Sequence, residues 1–189
     1  EMQRSLVGSE MCIRDRLWMV FSLSILQAKE IKMSSPDEKY QFTLSDEGGN
    51  LHYSLNWNAK ETIKPSLLGI KANTIWRDHL SLGDMTTAEQ DTVWHPVYGE
   101  RSTIKDQYKA WSVVINRQNS RDKLVLDIRA YNEGIAFRYR FPGGQYLKIT
   151  DEFTEYTLPE GTKAYFTSRA QTPYEFLPLE GWPGESDRP

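Results

Sequence analysis

The stretch "AWSVVINRQNSRDKLVLDIRAYNEGIAFRYRF" (110–141) decides the fold. Its apolar residues fall at every second position: Trp111, Val113 and Ile115, then Leu124, Leu126, Ile128 and Ala130, then Ile135, Phe137, Tyr139 and Phe141. Side chains of an extended chain point alternately to opposite faces, so a period of two gives each segment one apolar and one polar side. Arg138 and Arg140 stand on the polar side of the third segment. "NRQNSRD" (116–122) and "NEG" (132–134) supply the turns, and "PGG" (142–144) ends the last run. Segments joined this closely pair antiparallel and bury one face.

The same pattern holds upstream. "YQFTL" (40–44) puts Tyr40, Phe42 and Leu44 on one side, and "LHYSLNW" (51–57) does so with Leu51, Tyr53, Leu55 and Trp57. Between them, "SDEGGN" (45–50) carries the glycines that a hairpin turn uses. No stretch after Lys29 sustains apolar residues at helical spacing over three turns. The fold class is therefore all-β, read as a two-layer sandwich, because many short strands must bury their apolar faces against one another. The least regular part, "ANTIWRDHLSLGDMTTAEQDT" (72–92), reads as a loop with a short helical turn or as an edge strand. No internal repeat or low-complexity segment is present.

The chain has 189 residues, enough for one domain with a short extension. Its 23 Lys and Arg against 26 Asp and Glu leave a net charge of −3, with no basic field for nucleic acid and no acidic block. Aromatics reach 12%, including 6 Trp and 10 Tyr, a supply of flat amphipathic surface that serves sugar binding and core packing alike.

The first residues need separate treatment. "EMQRSLVGSEMCIRDR" (1–16) has no periodicity and holds the single cysteine, Cys12; it resembles a translated sequencing-adaptor scar and is set aside from fold reasoning, a natural N-terminal tail being the other reading. "LWMVFSLSILQA" (17–28) reads as the apolar core and cleavage site of a secretory signal peptide, cut after Ala28. A run of ten residues spans about 15 Å as a helix, half a bilayer core, so it makes no stable membrane anchor. A buried first strand is the alternative. On the signal reading the mature chain is cysteine-free and exported, to the periplasm or the medium of a bacterium, and is stabilised without disulfides.

The chemistry-bearing motifs are few. No Gly-rich phosphate loop, paired cysteines, HExxH or GxSxG occurs. His52, His79 and His95 lie far apart, none with a second histidine at metal-ligand spacing. Carboxylates such as Asp151, Glu152, Glu155 and Glu160 are plentiful, but glycoside hydrolysis needs two of them about 5 to 10 Å apart, a distance sequence does not give.

The order of four segments is more specific: 34–70, beginning "SSPDEKYQFTL", then "WHPVYGERSTIKDQY" (94–108), "LDIRAYNEGIAFRYRFP" (126–142) and "ITDEFTEYTLPEGTKAYF" (149–166). In this order they resemble the N-terminal domain of glycoside hydrolase family 97, which contains bacterial α-glucosidases and α-galactosidases. The resemblance covers 34–179. It implies a β-super-sandwich of the galactose-mutarotase-like kind, here incomplete at its C-terminal side, in front of a (β/α)8 barrel that carries the acid and base carboxylates and that this chain lacks. The fragment is then inactive alone; its partners are that missing barrel and, in the complete enzyme, an α-linked oligosaccharide, with no nucleic acid.

Within the resemblance, Trp94, Pro96, Gly99, Glu100 and Tyr108 match a family signature, Trp-Gln-Pro-Val-Trp-Gly-Glu and its sequel, with His95 and Tyr98 as departures. It reads as a structural turn: Pro96 restricts the chain, Gly99 admits unusual backbone, and Trp94 and Tyr98 can bury large faces. In "SRAQTPYEFLPL" (168–179), Glu175 matches a family glutamate that reaches into the barrel to help bind calcium, a cation that takes six to eight oxygen ligands. Its alternative is a solvated loop carboxylate. The tail "EGWPGESDRP" (180–189) stays unassigned, as a truncated gene model or an artefact. The alternative function is a stand-alone carbohydrate-binding sandwich with Trp57, Trp76, Trp94 or Trp111 as stacking platform. A third reading is a purely structural or adhesive sandwich.

Overall fold

A computed structural model describes residues 28–143, 146–169 and 171–181. The adaptor-like stretch with Cys12 and, except for Ala28, the signal segment lie outside the described residues, as does the tail after Gly181.

The first sheet is a meander of β1 (Glu30–Ser34), β2 (Tyr40–Ser45), β3 (Leu51–Trp57) and β4 (Lys60–Leu68) in that spatial order. A three-stranded sheet follows from β5 (Ile70–Lys71), β6 (Ile75–Trp76) and, far along the chain, β11 (Asp151–Glu152). The other large sheet is also a meander: β7 (Leu80–Trp94), β8 (Ile104–Arg117), β9 (Lys123–Tyr131) and β10 (Gly134–Arg140), with β7 at one edge. Last comes a hairpin of β12 (Lys163–Phe166) and β13 (Glu175–Pro178).

The alternation read in 110–141 is the packing of the second sheet. Val113, Ile115, Leu124, Leu126, Ile128 and Ala130 are buried, and Ile135, Phe137, Tyr139 and Phe141 pack partly buried against them. They face Met33, Phe42, Leu44, Leu51 and Tyr53 of the first sheet across one core. Phe42 and Tyr53 stack at 5.6 Å, and Phe137 closes on Tyr53 at 5.8 Å from the opposite layer. These contacts make the two large sheets the layers of a sandwich.

Polar turns fasten the layers at their rims. Asp46 accepts from the Lys29 amide at 2.7 Å and, across the sandwich, from the Leu82 amide at 2.9 Å. In the β1–β2 turn the Ser35 hydroxyl donates to Asp37 at 2.6 Å and holds that carboxyl below its ordinary value. The Asp37 amide in turn donates to Asn132 in the β9–β10 turn at 3.0 Å. The segment around β11 extends the first sheet beyond β4. The amides of Phe153 and Glu155 donate to Gly69 and Leu67 at 2.8 and 2.9 Å, and the buried Tyr53 hydroxyl donates to the Glu155 carbonyl at 2.7 Å. Gly69 is required there, because a Cβ would lie 2.9 Å from the Trp76 carbonyl oxygen.

Of the two readings of 72–92, the edge strand is the one present: β7 alone occupies 80–94. Its period is interrupted by a register shift between Leu82 and Met85, and beyond it both faces are largely exposed, so no apolar alternation marks it. Trp57, grouped with the inward residues of β3, is 46% exposed instead, beyond the register shifts at Leu55 that break the strand's alternation.

Candidate functional site

The signature residues sit on an arm. β7 and β8 pair as far as Trp94 and Ile104, whereas β9 accompanies β8 only from Tyr108 onward. The last turns of this hairpin therefore project past the sheet as two strands. At the tip, Gly99 takes a φ of 142°, which favours glycine, and His95 donates through Nδ1 to the Ser102 carbonyl at 2.9 Å, closing the loop. The expected burial of the aromatic faces does not occur: Trp94 is 50% and Tyr98 89% exposed, Glu100 is exposed, and Pro96 is half-buried. No described element lies against the tip to cover them. Tyr108 is different, because it stands at the root of the arm, where its ring meets Tyr131 at 5.0 Å and the Arg129 guanidinium at 4.5 Å.

Beside that root is a charged cluster that the sequence reading did not single out. Asp127 accepts from Ser112 Oγ at 2.7 Å, from Arg138 Nε at 3.1 Å, and from Arg140 Nε and Nη2 at 2.8 and 2.9 Å. The Arg140 hydrogen bonds hold its carboxyl far below the usual carboxylate range, against the opposing effect of burial, with Ser112 and Arg138 adding to the lowering. The available signal was the alternation itself, which places Asp127 and both arginines on polar faces. What was missing was register: pairing sets Asp127 opposite Arg138 and Val125 opposite Arg140.

Glu175 opens β13 opposite Phe166, and its exposed carboxylate makes no hydrogen bond or ion pair among the described residues. No group of three His, Cys, Asp or Glu among the described residues could hold a metal ion. A calcium ion takes six to eight oxygen ligands, of which a single carboxylate such as Glu175 can supply one or two. On the other face of the hairpin, the Tyr165 and Phe176 rings meet tilted at 4.9 Å and are both exposed. Of the carboxylates noted from sequence, Asp151 pairs with Lys71 at 3.2 Å and Glu152 accepts from Thr154 at 2.8 Å. The candidate stacking tryptophans are scattered: Trp76 is buried, Trp111 partly buried, Trp57 and Trp94 half-exposed, and no two of them form a ring pair.

The profile of the family described as Glycosyl-hydrolase 97 N-terminal matches residues 33–186, most of the chain. This chain belongs to that family. The family 97 domain is similar to the retaining alpha-galactosidase of Bacteroides thetaiotaomicron, with 22% identity over 150 residues, 78% of this chain and 22% of that protein. Its fold matches a Glycoside Hydrolase Family 97 enzyme from Pseudoalteromonas sp. in complex with panose at a TM-score of 0.72, with 24% identity over 80% of this chain and 25% of that one. A beta-arabinopyranosidase matches at 0.67, with 23% identity over 78% and 26% of the two chains. The chain thus spans about a quarter of the length of these relatives, and the all-β sandwich is the part they share.

Proposed function

We propose that this family 97 domain belongs to an exported bacterial glycoside hydrolase acting on α-glycosides, and that it supports a catalytic barrel while leaving the bond-breaking to it. The observation that carries this reading is the family match across 33–186. A general acid needs a carboxyl raised toward neutrality, and Asp37 and Asp127, held by hydrogen bonds, are shifted the other way.

In this reading the exposed Trp94 and Tyr98 of the arm, and Glu175 on β13, are the parts turned toward the rest of the protein. Glu175 offers one oxygen ligand to a calcium ion whose other ligands lie on the barrel, where the ion would tie the two together. Calcium bound there would supply positive charge next to the sugar site. The domain also lends aromatic and polar surface to carbohydrate.

The test is to read the source DNA across both ends of the chain and express the uninterrupted gene product. The expected result is a barrel-bearing protein that hydrolyses 4-nitrophenyl α-glucoside or α-galactoside. Calcium should raise its melting temperature, and Glu175→Gln should weaken calcium affinity by about tenfold or more. An uninterrupted product that ends near Pro189 and binds no α-linked oligosaccharide sinks the reading. Equal calcium affinity in Glu175→Gln removes the ligand role alone.

A further inference from the structure

The outward face of the second sheet carries a trough. Strand register sets Ala88, Ala110, Arg129 and Ala136 in one row across β7, β8, β9 and β10. Three of the four are alanines, so the row forms a floor from which only Arg129 rises. Tyr108 and Tyr131 make the wall on one side, and the Asp127 cluster with Arg138 and Arg140 makes the other. The depression holds about 620 Å³, within the range of about 300 to 1,000 Å³ common for small-molecule sites. Same-face residues two apart on a strand are separated by about 6.8 Å, so walls in rows four residues apart stand about 13 to 14 Å from each other.

Its charge opposes that of the chain. Three arginines, Arg129, Arg138 and Arg140, line it against two carboxylate residues, Asp127 and Glu89, an excess of one positive charge in a protein of net charge −3. Asp127 takes Arg140 through two nitrogens but Arg138 only through Nε, which leaves the terminal nitrogens of Arg138 without a protein acceptor among the described residues. Arg129 makes no hydrogen bond or close ion pair with a carboxylate among the described residues; the Tyr131 hydrogen bond first, and more weakly the charge of Asp106, favour its charged form. Its guanidinium lies 4.5 Å from the Tyr108 ring centroid and donates from Nη1 to the Tyr131 hydroxyl at 3.4 Å. That contact holds the planar fork in place without neutralising it, an arrangement suited to bidentate recognition of a carboxylate. A face that only needs to stay solvated requires neither the alanine floor nor a cation braced on aromatic rings.

We propose that this trough binds a carboxylated sugar, its carboxylate taken by Arg129 and Arg138 and its ring seated on the alanine floor beside Tyr108. The sugar half of the assignment rests on the reading of the chain as a carbohydrate-associated domain; the carboxylate half rests on the charge excess and on Arg129.

The test titrates the isotope-labelled full chain with trigalacturonate and, at matched ionic strength, with a neutral galactose trisaccharide and with acetate, following amide resonances. The expected result is saturable shifts at Ala110, Arg129 and Ala136 with trigalacturonate binding on the order of tenfold tighter than the neutral sugar. Arg129→Ala should remove that advantage, and Ala110→Leu, which fills the floor and keeps every charge, should block binding while the circular dichroism spectrum is retained. If Ala110→Leu does not fold, Arg138→Ala gives an independent reading from the opposite wall. Equal affinity for acid and neutral sugars, acetate saturating the trough as tightly as trigalacturonate, or shifts confined to other residues each overturn the proposal. The hydrolase reading is judged separately by activity of the uninterrupted gene product, so either can fall without the other.

Discussion

Replacing Asp127 by Asn tests the electrostatics of the second sheet. The carboxylate receives four hydrogen bonds, three of them from guanidinium groups. An amide of the same shape keeps one acceptor oxygen, turns the other position into a donor facing arginine, and loses the charge. Were the cluster fully buried, each charge-assisted bond would contribute about 1.5 to 3 kcal/mol. The Asp127 side chain is only 15% exposed, but Arg138 and Arg140 are 70% and 45% exposed, so solvent screens most of that attraction. Exposed pairs contribute about 0.2 to 1 kcal/mol each. The expected loss for Asp127→Asn near neutral pH is therefore about 1 to 2 kcal/mol, or about 3 to 6 °C in melting temperature for a domain of this size.

The pH dependence gives the sign. The folded-state pKa of Asp127 lies below its unfolded value, so its contribution is complete above the unfolded pKa of about 3.9 and is lost as pH falls from there through the folded value. Urea unfolding of both proteins should show a constant gap from about pH 5 to 8 that narrows below about pH 4. The gap should also shrink in about 1 M salt, where the Debye length is about 3 Å. A gap that is absent at neutral pH, or one that persists unchanged in acid, refutes the assignment of the stabilisation to an ionised Asp127.

Two further substitutions probe the core and the added strand. Trp76→Ala removes a side chain only 2% exposed that meets Phe141 edge-on at 6.4 Å, and should cost about 3 to 5 kcal/mol in urea denaturation; a loss below about 1 kcal/mol would place Trp76 outside the core. Tyr53→Phe keeps the stacking on Phe42 but leaves the Glu155 carbonyl without its 2.7 Å donor, with an expected loss of about 1 to 2 kcal/mol. Hydrogen exchange at Phe153 and Glu155, whose amides bind β4 and its neighbour Gly69, should accelerate in Tyr53→Phe, and unchanged protection there would show that Tyr53 does not fasten the segment.

The surfaces left open by the domain form a consistent set. The arm tip with Trp94 and Tyr98 and the β12–β13 hairpin with Tyr165 and Phe176 carry exposed aromatic side chains, and the trough is walled by the half-buried Tyr108 and Tyr131. Aromatic side chains with polar ends are enriched where proteins meet partners or ligands. On the proposed reading, each gives a separate place to look for contact with sugar or with a catalytic barrel.

The sequence by itself determined what depends on neighbours along the chain. A period of two settles which side chains of 111–115, 124–130 and 135–141 turn inward, because alternation is a local property of extended backbone. Glycines at 48 and 49 mark a hairpin that is present, with φ of 64° and 79°. The ordered segments within 34–179 pointed to the family that the profile match across 33–186 establishes.

Only the tertiary structure decided what depends on register between strands. The alanine row, the Asp127 cluster and the pairing of Tyr108 with Tyr131 join residues up to 48 positions apart, from Ala88 to Ala136. No sequence pattern states how far one strand slides along the next. Burial beyond the sheet is equally non-local: β7 lacks alternation because its distal half has solvent on both faces. Trp94 and Tyr98 have the composition of a packed turn, and they remain exposed because β9 ends before it reaches them.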